Sequence, residues 1–341
     1  MNFCAFDINT VANEVYSHNF GFDSVNERNI ASLTAEEMDA MAIDLLTMSP
    51  PCQPFTRLGL KLDTHDRRTD SFIHVMTEVI PSMKHKPKHI LIENVKGFEE
   101  SKTRDLALSV LKNSCYEIRE FLLSPTNIGI PNSRLRYYLL AKQKNDLNSS
   151  QFVFPQADLF LTEIPATEFN INASSKGCRH ILNEFKQLNI ASFVDHKNLH
   201  INEANYLLPD NVLRKYSMIL DIVDYESVRS CCFTRGYGQF VHGTGSVLKT
   251  NSVVTIDEVY SKIDKFSEDE DQEKGNRRIQ LLKELKLRYF TPREVANLMC
   301  FPQKFSFPTI LTDRQMYKLL GNSVNVKVIS LLLRLLLLNA D

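Results

Sequence analysis

The sequence lacks an excess of charge of either sign. Its 341 residues include 40 Lys and Arg and 41 Asp and Glu, which gives a net charge of −1. This balance excludes a histone-like protein that binds nucleic acid through basic tails, but it allows a basic cleft balanced by acidic residues elsewhere. The hydrophobic share of 43% and the charged share of 24% are those of an ordinary globular protein.

Regularly spaced cysteines are also lacking. Seven cysteines occur without any Cys-x-x-Cys pair, and Cys231 and Cys232 are adjacent. This pattern excludes a disulfide framework and a zinc site, and it indicates free thiols in a reducing compartment. We therefore predict that Cys231 and Cys232 neither pair with each other nor bind a metal, and we expect no metal site in the protein.

No targeting signal or long apolar run is visible in the sequence. Residues 1–7 lack a basic region followed by an apolar stretch. The most apolar run, 324–338, contains Lys327 and Arg334 and is too short to span a membrane. We predict that it is a buried C-terminal helix, and we expect a cytoplasmic protein, with the nucleus as a second compartment and no membrane partner.

Short apolar runs alternate with helical patterns over residues 1–142. The predicted strands are 3–6, 43–48, 89–92, 117–123 and 135–141, and the predicted helices are 10–19, 71–84 and 103–113. Such alternation predicts an α/β fold with a largely parallel sheet and helices on both faces.

Two further segments follow. Residues 143–286 mix short strands with loops and predict a smaller inserted domain. In residues 287–341, which we expect to complete the core, Thr291 caps a helix that begins at Pro292, with Glu294 at the capping-box position. Further helices are predicted at 313–320 and 325–338.

The sharpest local feature is Ser49-Pro50-Pro51-Cys52-Gln53-Pro54-Phe55, which directly follows a predicted strand. Ligands of open α/β sheets bind at the carboxyl ends of strands, and the flanking prolines fix the backbone that carries the thiol. Most free cysteines are small buried hydrophobic residues, and that interpretation suits Cys4, Cys115 and Cys300 better. For Cys52 we favour a chemical role.

Two more polar groups follow predicted strands. Glu93-Asn94-Val95 comes after residues 90–92, and Asn132-Ser133-Arg134-Leu135-Arg136 begins the strand at 135. Because Arg134 and Arg136 are two residues apart, we expect both side chains on one face. Taken singly, each pattern is weak, since such groups are usually solvated surface charges.

In this order, and with Gly321-Asn322-Ser323 near the end, these motifs resemble those of the cytosine-5 methyltransferase family. The tRNA branch of that family is the closer resemblance. It rests on Glu93-Asn94-Val95-Lys96-Gly97-Phe98-Glu99, on Leu123-Ser124-Pro125-Thr126, and on Cys232-Phe233-Thr234. The resemblance implies a Rossmann-like methyltransferase sheet that uses S-adenosylmethionine, with a small target-recognition domain inserted at 143–286.

The resemblance also implies roles for single residues. Cys52 would attack C6 of a cytosine in a tRNA anticodon loop, Glu93 would bind N3 and the amine, and Arg136, with Arg134, would bind O2. The residues implied to contact the cofactor are Asp7 on the ribose, Ile8 on the adenine, Asn29, Pro50 and Asn322. For Asp7, a helix cap is an equally good interpretation of the sequence alone.

Binding of RNA requires positively charged side chains and contacts from the target-recognition domain. We expect substrate contacts from Arg57, Lys61, Arg67 and Arg68, on a loop that would close over the substrate, and from Cys232, Phe233 and Thr234. Two other functions stay open. One is a tRNA-binding protein without catalytic activity, and the other is a DNA cytosine-5 methyltransferase.

The sequence departs from the family pattern at its start. Family members begin with a strand and a glycine-rich turn that binds the cofactor, whereas the first glycine of this sequence is Gly21. We expect the sheet to lack its first strand and the chain to bind the cofactor weakly. A start at an internal methionine, a splice form and lost catalysis are the alternatives, which the upstream coding sequence would distinguish.

Overall fold

The computed structural model of the protein describes residues 3–21, 24–51, 55, 63, 66–144, 160–165, 186–194, 203–265 and 272–337. By its internal contacts the chain divides into two compact units. Unit 1 comprises Met1–Asn127, Leu135–Asn183 and Val328–Asp341, and unit 2 comprises Ile128–Arg134 and Glu184–Lys327. The predicted domain division at 142 and 286 stays a prediction, and the contacts divide the chain elsewhere.

The described residues of unit 1 form six strands in two sheets. The strands are β1 (Ala5–Phe6), β2 (Val25–Asn26), β3 (Leu45–Met48), β4 (His89–Val95), β5 (Tyr116–Leu123) and β6 (Arg136–Gln143). β1 and β2 form a two-stranded parallel sheet, and the other four form a sheet of order β3-β4-β6-β5. The predicted α/β class is confirmed.

The four-stranded sheet is less parallel than the sequence predicts. Only β3 and β4 run parallel, whereas β6 is antiparallel to both β4 and β5. The prediction of a largely parallel sheet was therefore wrong for this part of the chain. An alternating apolar pattern shows which residues face the core, but it carries no information about strand direction.

The helices of unit 1 begin with α1 (Thr10–Phe20) and α2 (Ala35–Ala40). The single helix predicted at 71–84 is instead interrupted. It comprises α3 (Asp70–His74), a π-helical turn at Val75–Val79, and α4 (Ile80–Ser82). α5 (Lys102–Asn113) starts where Asp63 accepts hydrogen bonds from the backbone N–H groups of Lys102 and Thr103, at 2.6 and 3.1 Å.

Among its described residues, unit 2 contains a small sheet and five helices. Its strands are β7 (Ile222–Val223), β8 (Val247–Lys249) and β9 (Leu287–Arg288), in the order β7-β8-β9. The helices are α6 (Asp210–Tyr216), α7 (Ile256–Asp264), α8 (Gln272–Glu284), α9 (Pro292–Leu298) and α10 (Asp313–Asn322). Side chains of α9 and α10 share an apolar core with Phe233 and Tyr237.

The last helix, α11 (Val326–Leu337), buries Val328, Leu331, Leu332, Leu335 and Leu336. The predicted buried C-terminal helix is therefore confirmed. The stretch Asp313–Leu337 is long and apolar enough to cross a membrane by length and composition alone.

Candidate active site

The first part of the site is the edge at which β3 and β4 both end. The two strands are parallel, with Met48 paired to Ile92, so the chain leaves β3 beside Glu93 and Asn94. Asn94 is 1% exposed, and its Nδ2 donates a hydrogen bond of 3.4 Å to the carbonyl oxygen of Pro50. This bond fixes the chain two residues before Cys52.

Some predicted site residues cannot be placed. Cys52, Arg57 and Lys61 lie outside the described residues. The nucleophile and two of the predicted RNA contacts therefore stay predictions. What the structure defines is the backbone on which Cys52 depends, at Pro50 before it and at Phe55 after it.

The second part of the site is an ion pair between a carboxylate and a guanidinium on one face of the sheet. β4 continues to Val95, three residues beyond the predicted end of the strand, and places Glu93 opposite Tyr138 and Val95 opposite Arg136. Glu93 and Arg136 are thus diagonal neighbours on the same face. Glu93 Oε1 lies 3.7 Å from Arg136 Nε, and the two side chains are 11% and 15% exposed. The distance indicates attraction between charges without a direct hydrogen bond.

Arg134 lies in a different environment from Arg136. β6 begins at Arg136, so the strand alternation expected to put both arginines on one face does not include Arg134, and that prediction was wrong. Arg134 belongs to unit 2 and is 3% exposed. Its guanidinium donates to the carbonyl oxygens of Phe233 and Gly321, at 3.2 and 3.0 Å, and to that of Ser323.

A glycine shapes the chain around Phe55. Gly97 has a φ of +109°, and a Cβ placed there would lie 2.7 Å from the carbonyl oxygen of Phe55. Phe55 is buried, and its ring packs edge-on against Phe98 at 4.9 Å. Gly97 therefore allows the segment that follows Cys52 to approach β4 closely.

The predicted cofactor residues of unit 1 lie on exposed backbone. Asp7 follows β1, and its Oδ1 accepts a hydrogen bond from Asn9 N at 2.8 Å. Asn9 itself caps α1, accepting from Ala12 N at 3.2 Å, so the alternative role of Asp7 as the helix cap is wrong. Ile8 is 67% exposed. Asn29 caps the short turn Ile30–Ser32.

The predicted substrate and cofactor residues of unit 2 differ in exposure. Asn322 is exposed at the end of α10. The ring of Phe233 is buried against Tyr237 and Phe290, and its carbonyl oxygen accepts a hydrogen bond from Arg134. Cys232 and Thr234 are half-buried. Cys231 and Cys232 are free thiols.

The two described arginines of the predicted closing loop are also unequal. Arg67 and Arg68 form a short 3₁₀ turn, and both are exposed. Arg68 is bound by the Asp66 carboxylate at 2.5 and 2.8 Å, which lowers the pKa of Asp66 to about 2. Much of the charge of Arg68 is therefore neutralised within the protein, and Arg67 is the better candidate for RNA contact.

Comparison with known proteins shows the family to which this chain belongs. The family model of the C-5 cytosine-specific DNA methylases matches residues 2–337. The chain belongs to this family. It is 41% identical to the tRNA (cytosine(38)-C(5))-methyltransferase of Bos taurus, over 97% of this chain and 92% of the relative.

Two further similarities refine the assignment. A crystal structure of a Spodoptera frugiperda DNMT2 mutant is similar with a TM-score of 0.80 and 39% identity, over 98% of this chain and 91% of that one. A DNA (cytosine-5)-methyltransferase of Dictyostelium discoideum is 36% identical, over 97% of this chain and 86% of the relative. The Rossmann-like methyltransferase fold predicted from the sequence is thereby confirmed.

Cytosine-5 methyltransferases use S-adenosylmethionine, and the described residues fit that group chemically. An adenosine presents a ribose diol beside an apolar ring. At the end of β1 the Asp7 carboxylate, of which only Oδ1 has a hydrogen-bond partner among the described residues, stands next to the exposed apolar side chain of Ile8. A carboxylate can accept from both ribose hydroxyls, and an isoleucine side chain can cover an adenine face.

Sequence reasoning missed two residues that shape the site. Asn94 holds the carbonyl group of Pro50, and Gly97 admits Phe55. Both stand in the motif already used for Glu93, and the glycine was a usable sign, because a glycine after a strand often marks a close backbone approach. No sequence pattern indicated that Asn94 would bond across to the neighbouring strand.

Proposed function

We propose that this protein transfers a methyl group from S-adenosylmethionine to C5 of a cytosine in a tRNA anticodon loop, through a temporary bond between Cys52 and C6. The observation that carries the proposal is the Glu93–Arg136 pair, at 3.7 Å, of which Glu93 lies on the strand next to β3 and Arg136 on the strand after that. The name of the relative from Bos taurus supports tRNA as the substrate.

In this mechanism the thiolate of Cys52 adds to C6 of the cytosine, and the electrons of the C5–C6 double bond move toward C5. Glu93 binds N3 and the exocyclic amine, and it delivers a proton to N3 as negative charge develops there. After C5 has been methylated, a base removes the proton from C5, the double bond reforms, the thiolate leaves and N3 returns its proton to Glu93. The cysteine is thereby regenerated without any net redox change.

Arg136 has a complementary task. Its guanidinium can donate to O2 of the base, and its charge would balance the charges of Glu93 and of the Cys52 thiolate. Because both side chains are largely shielded from water, their fields act on the base more strongly than they would in solvent. Arg134 was expected to share this task, but its guanidinium binds backbone carbonyl groups of unit 2.

The cofactor, when bound, supplies an electrophilic methyl group. Asp7 would hold the ribose and Ile8 the adenine, while Asn29, Pro50 and Asn322 complete the set of contacts that we propose. The task of these residues is alignment, since a methyl transfer needs the two reacting carbons on one line at short range.

The anticodon loop suits this chemistry because its bases are unpaired. Turning a loop cytosine out of its stack costs less than opening a duplex. We propose Arg57, Lys61, Arg67 and Arg68 as backbone contacts, and the segment that includes Cys232 and Thr234 as the target-recognition surface. The cytoplasm, with the nucleus as a second compartment, is the proposed location.

The proposal is tested with purified protein, unmodified tRNA and labelled S-adenosylmethionine. Label should enter a loop cytosine and should be absent when that cytosine is replaced by uracil. Cys52→Ala should abolish both transfer and the covalent RNA adduct, while circular dichroism and melting remain those of the unchanged protein. Methyl transfer by a well-folded Cys52→Ala variant would overturn the mechanism.

A DNA substrate is the second candidate, because the Dictyostelium discoideum relative is named a DNA methyltransferase. A duplex with the same target sequence, assayed at equal concentration, separates the two substrates. Faster transfer to the duplex would favour DNA. Tight tRNA binding without cofactor binding would instead support a tRNA-binding protein without catalytic activity.

A further inference from the structure

One buried cation joins two distant segments of unit 2. Arg134 Nη1 donates to the carbonyl oxygen of Phe233 at 3.2 Å and lies 3.4 Å from Cys232 Sγ. Arg134 Nη2 donates to the carbonyl oxygen of Gly321 at 3.0 Å and to that of Ser323. The guanidinium therefore binds residues 232 and 233 on one side and the end of α10 on the other.

The end of α10 is a favourable place for this charge. Carbonyl groups in the last turn of a helix have no partner within the helix and carry the negative end of its dipole. The planar guanidinium can bind several such groups at once, which the point charge of a lysine cannot do. Burial of Arg134 is thus offset by the carbonyl groups that it binds.

A second, independent contact holds the same two segments together. A Cβ at Gly321 would lie 2.1 Å from Arg235 N and 2.3 Å from the carbonyl carbon of Thr234. Backbone therefore packs directly on backbone at this point, and no side chain fits between. Gly321 is helical, so close approach is the reason for glycine here.

The two residues before Arg134 are themselves hydrogen-bonded to residues 230 and 231. Ser133 N donates to the carbonyl oxygen of Ser230 at 2.8 Å, and the fully buried Asn132 donates through Nδ2 to the carbonyl oxygen of Cys231 at 3.2 Å. Arg134 thus extends from a fixed backbone, and its guanidinium can set the position of what it binds.

We infer that Arg134 is a positioning residue that couples the two binding sites by holding residues 232–234 and Asn322 in one arrangement. The inference rests on the proposed function, in which residues 232–234 meet the RNA and Asn322 meets the cofactor. It separates the two arginines of the motif, because Arg136 acts on the base and Arg134 acts on the protein.

The matched experiment compares Arg134→Lys with Arg136→Lys, after both variants are shown to melt near the unchanged protein. S-adenosylmethionine affinity is measured by calorimetry without RNA. We expect Arg134→Lys to weaken it about tenfold, which corresponds to one lost charge-assisted bond. We expect Arg136→Lys to leave it unchanged while methyl transfer falls. Unchanged cofactor affinity in folded Arg134→Lys would overturn the inference.

Hydrogen exchange supplies a readout that does not depend on activity. Without any ligand, Arg134→Lys should lose protection at residues 232–235 and 320–325 together, while β4 and β6 keep theirs. In the unchanged protein, cofactor binding should slow exchange in both segments, and protection confined to 320–325 would contradict the coupling. If the unchanged protein binds no cofactor, the proposed function fails, but the paired loss of protection still tests the role of Arg134.

Discussion

Each unit contains a carboxylate paired with an arginine, and the two pairs differ in geometry. In unit 2, Glu294 binds Arg288 through two hydrogen bonds of 2.7 and 2.8 Å, with the side chains 2% and 3% exposed. In unit 1, Glu93 and Arg136 are 3.7 Å apart and more exposed. The same two residue types are thus joined by two direct hydrogen bonds in unit 2, whereas in unit 1 they are separated by 3.7 Å.

The link in unit 2 is closed because the carboxylate has further tasks there. Glu294 Oε2 also accepts from Thr291 N at 2.8 Å, while Glu294 N donates to Thr291 Oγ1, which completes the capping box of α9. Both oxygens are engaged within the protein. The spacing between Glu93 and Arg136 is wider, and under the proposed function a base would bind between these two side chains. Geometry therefore distinguishes structural from chemical pairs better than residue identity does.

The largest expected effect comes from exchanging the two carboxylates for amides. Glu93→Gln should lower the rate of methyl transfer by about 10²–10⁴-fold, since proton delivery to N3 is lost. It should change the free energy of unfolding by only about 1 kcal/mol. Glu294→Gln should instead cost about 3–5 kcal/mol of stability, because it leaves Arg288 buried without its partner charge.

Both variants are measured by urea unfolding and by single-turnover transfer under conditions in which each is folded. The comparison predicts a crossover, in which one variant loses rate and the other loses stability. Equal destabilisation by the two changes would show that the Glu93 pair is also a structural link.

A smaller effect is expected from Gly97→Ala, which tests how the chain after Cys52 is held. The new methyl group would meet the carbonyl oxygen of Phe55 in a backbone conformation unfavourable to alanine. We expect a loss of about 1–3 kcal/mol in stability and a fall in transfer rate of about tenfold, because Phe55 must move.

Gly21→Ala is the matched control for this change. Gly21 has a φ of +93°, and nothing lies within 4 Å of a Cβ placed there. It should show the cost of backbone strain without the loss of rate. If the Gly97 variant keeps the full rate, then the position of Phe55 does not matter for the chemistry.

The smallest effect concerns the cysteines. Burial, together with the neighbouring Asp221, raises the pKa of Cys231 to about 11, and burial raises that of Cys300 to about 11. Iodoacetamide at pH 8 should therefore modify exposed Cys4 and Cys115 well before these two thiols. Mass spectrometry of partly labelled protein would check the order.

The direction of the pH effect follows from the raised pKa values. Unfolded cysteines ionise near pH 9, whereas Cys231 and Cys300 remain protonated in the folded protein. Their contribution to stability is present below about pH 9 and is lost as the pH rises toward 11. Early labelling of Cys231 at pH 8 would show that its environment is more open than the structure indicates.

Local patterns predicted most elements of unit 1. Helices α1 and α5 and strands β3 to β6 lie within about three residues of their predicted bounds, and the Thr291 capping box is present. Capping residues and apolar periodicity act over a few neighbouring residues, so the sequence displays them directly. The π-helical turn at Val75–Val79 was missed because it leaves the apolar spacing of the helix largely intact.

Long-range features could not be predicted in the same way. The sequence shows Arg134 and Arg136 two residues apart, but only the structure shows that β6 starts at Arg136 and leaves Arg134 outside the strand. The partners of Arg134 lie 99 and 187 residues away, and no local pattern could reveal them. Motif resemblance predicted the candidate site, whereas the different environments of Arg134 and Arg136 became visible only in three-dimensional contacts.

The contact at Gly321 also limits how the protein could be stabilised by design. A glycine within a helix is normally the first candidate for replacement by alanine, which should gain about 1 kcal/mol in helix propensity. Here the methyl group of the alanine would clash with main-chain atoms only 2.1 Å away, and the clash would outweigh the gain in helix propensity. An engineer who ranks substitutions by local propensity would therefore choose a position that tolerates no side chain at all.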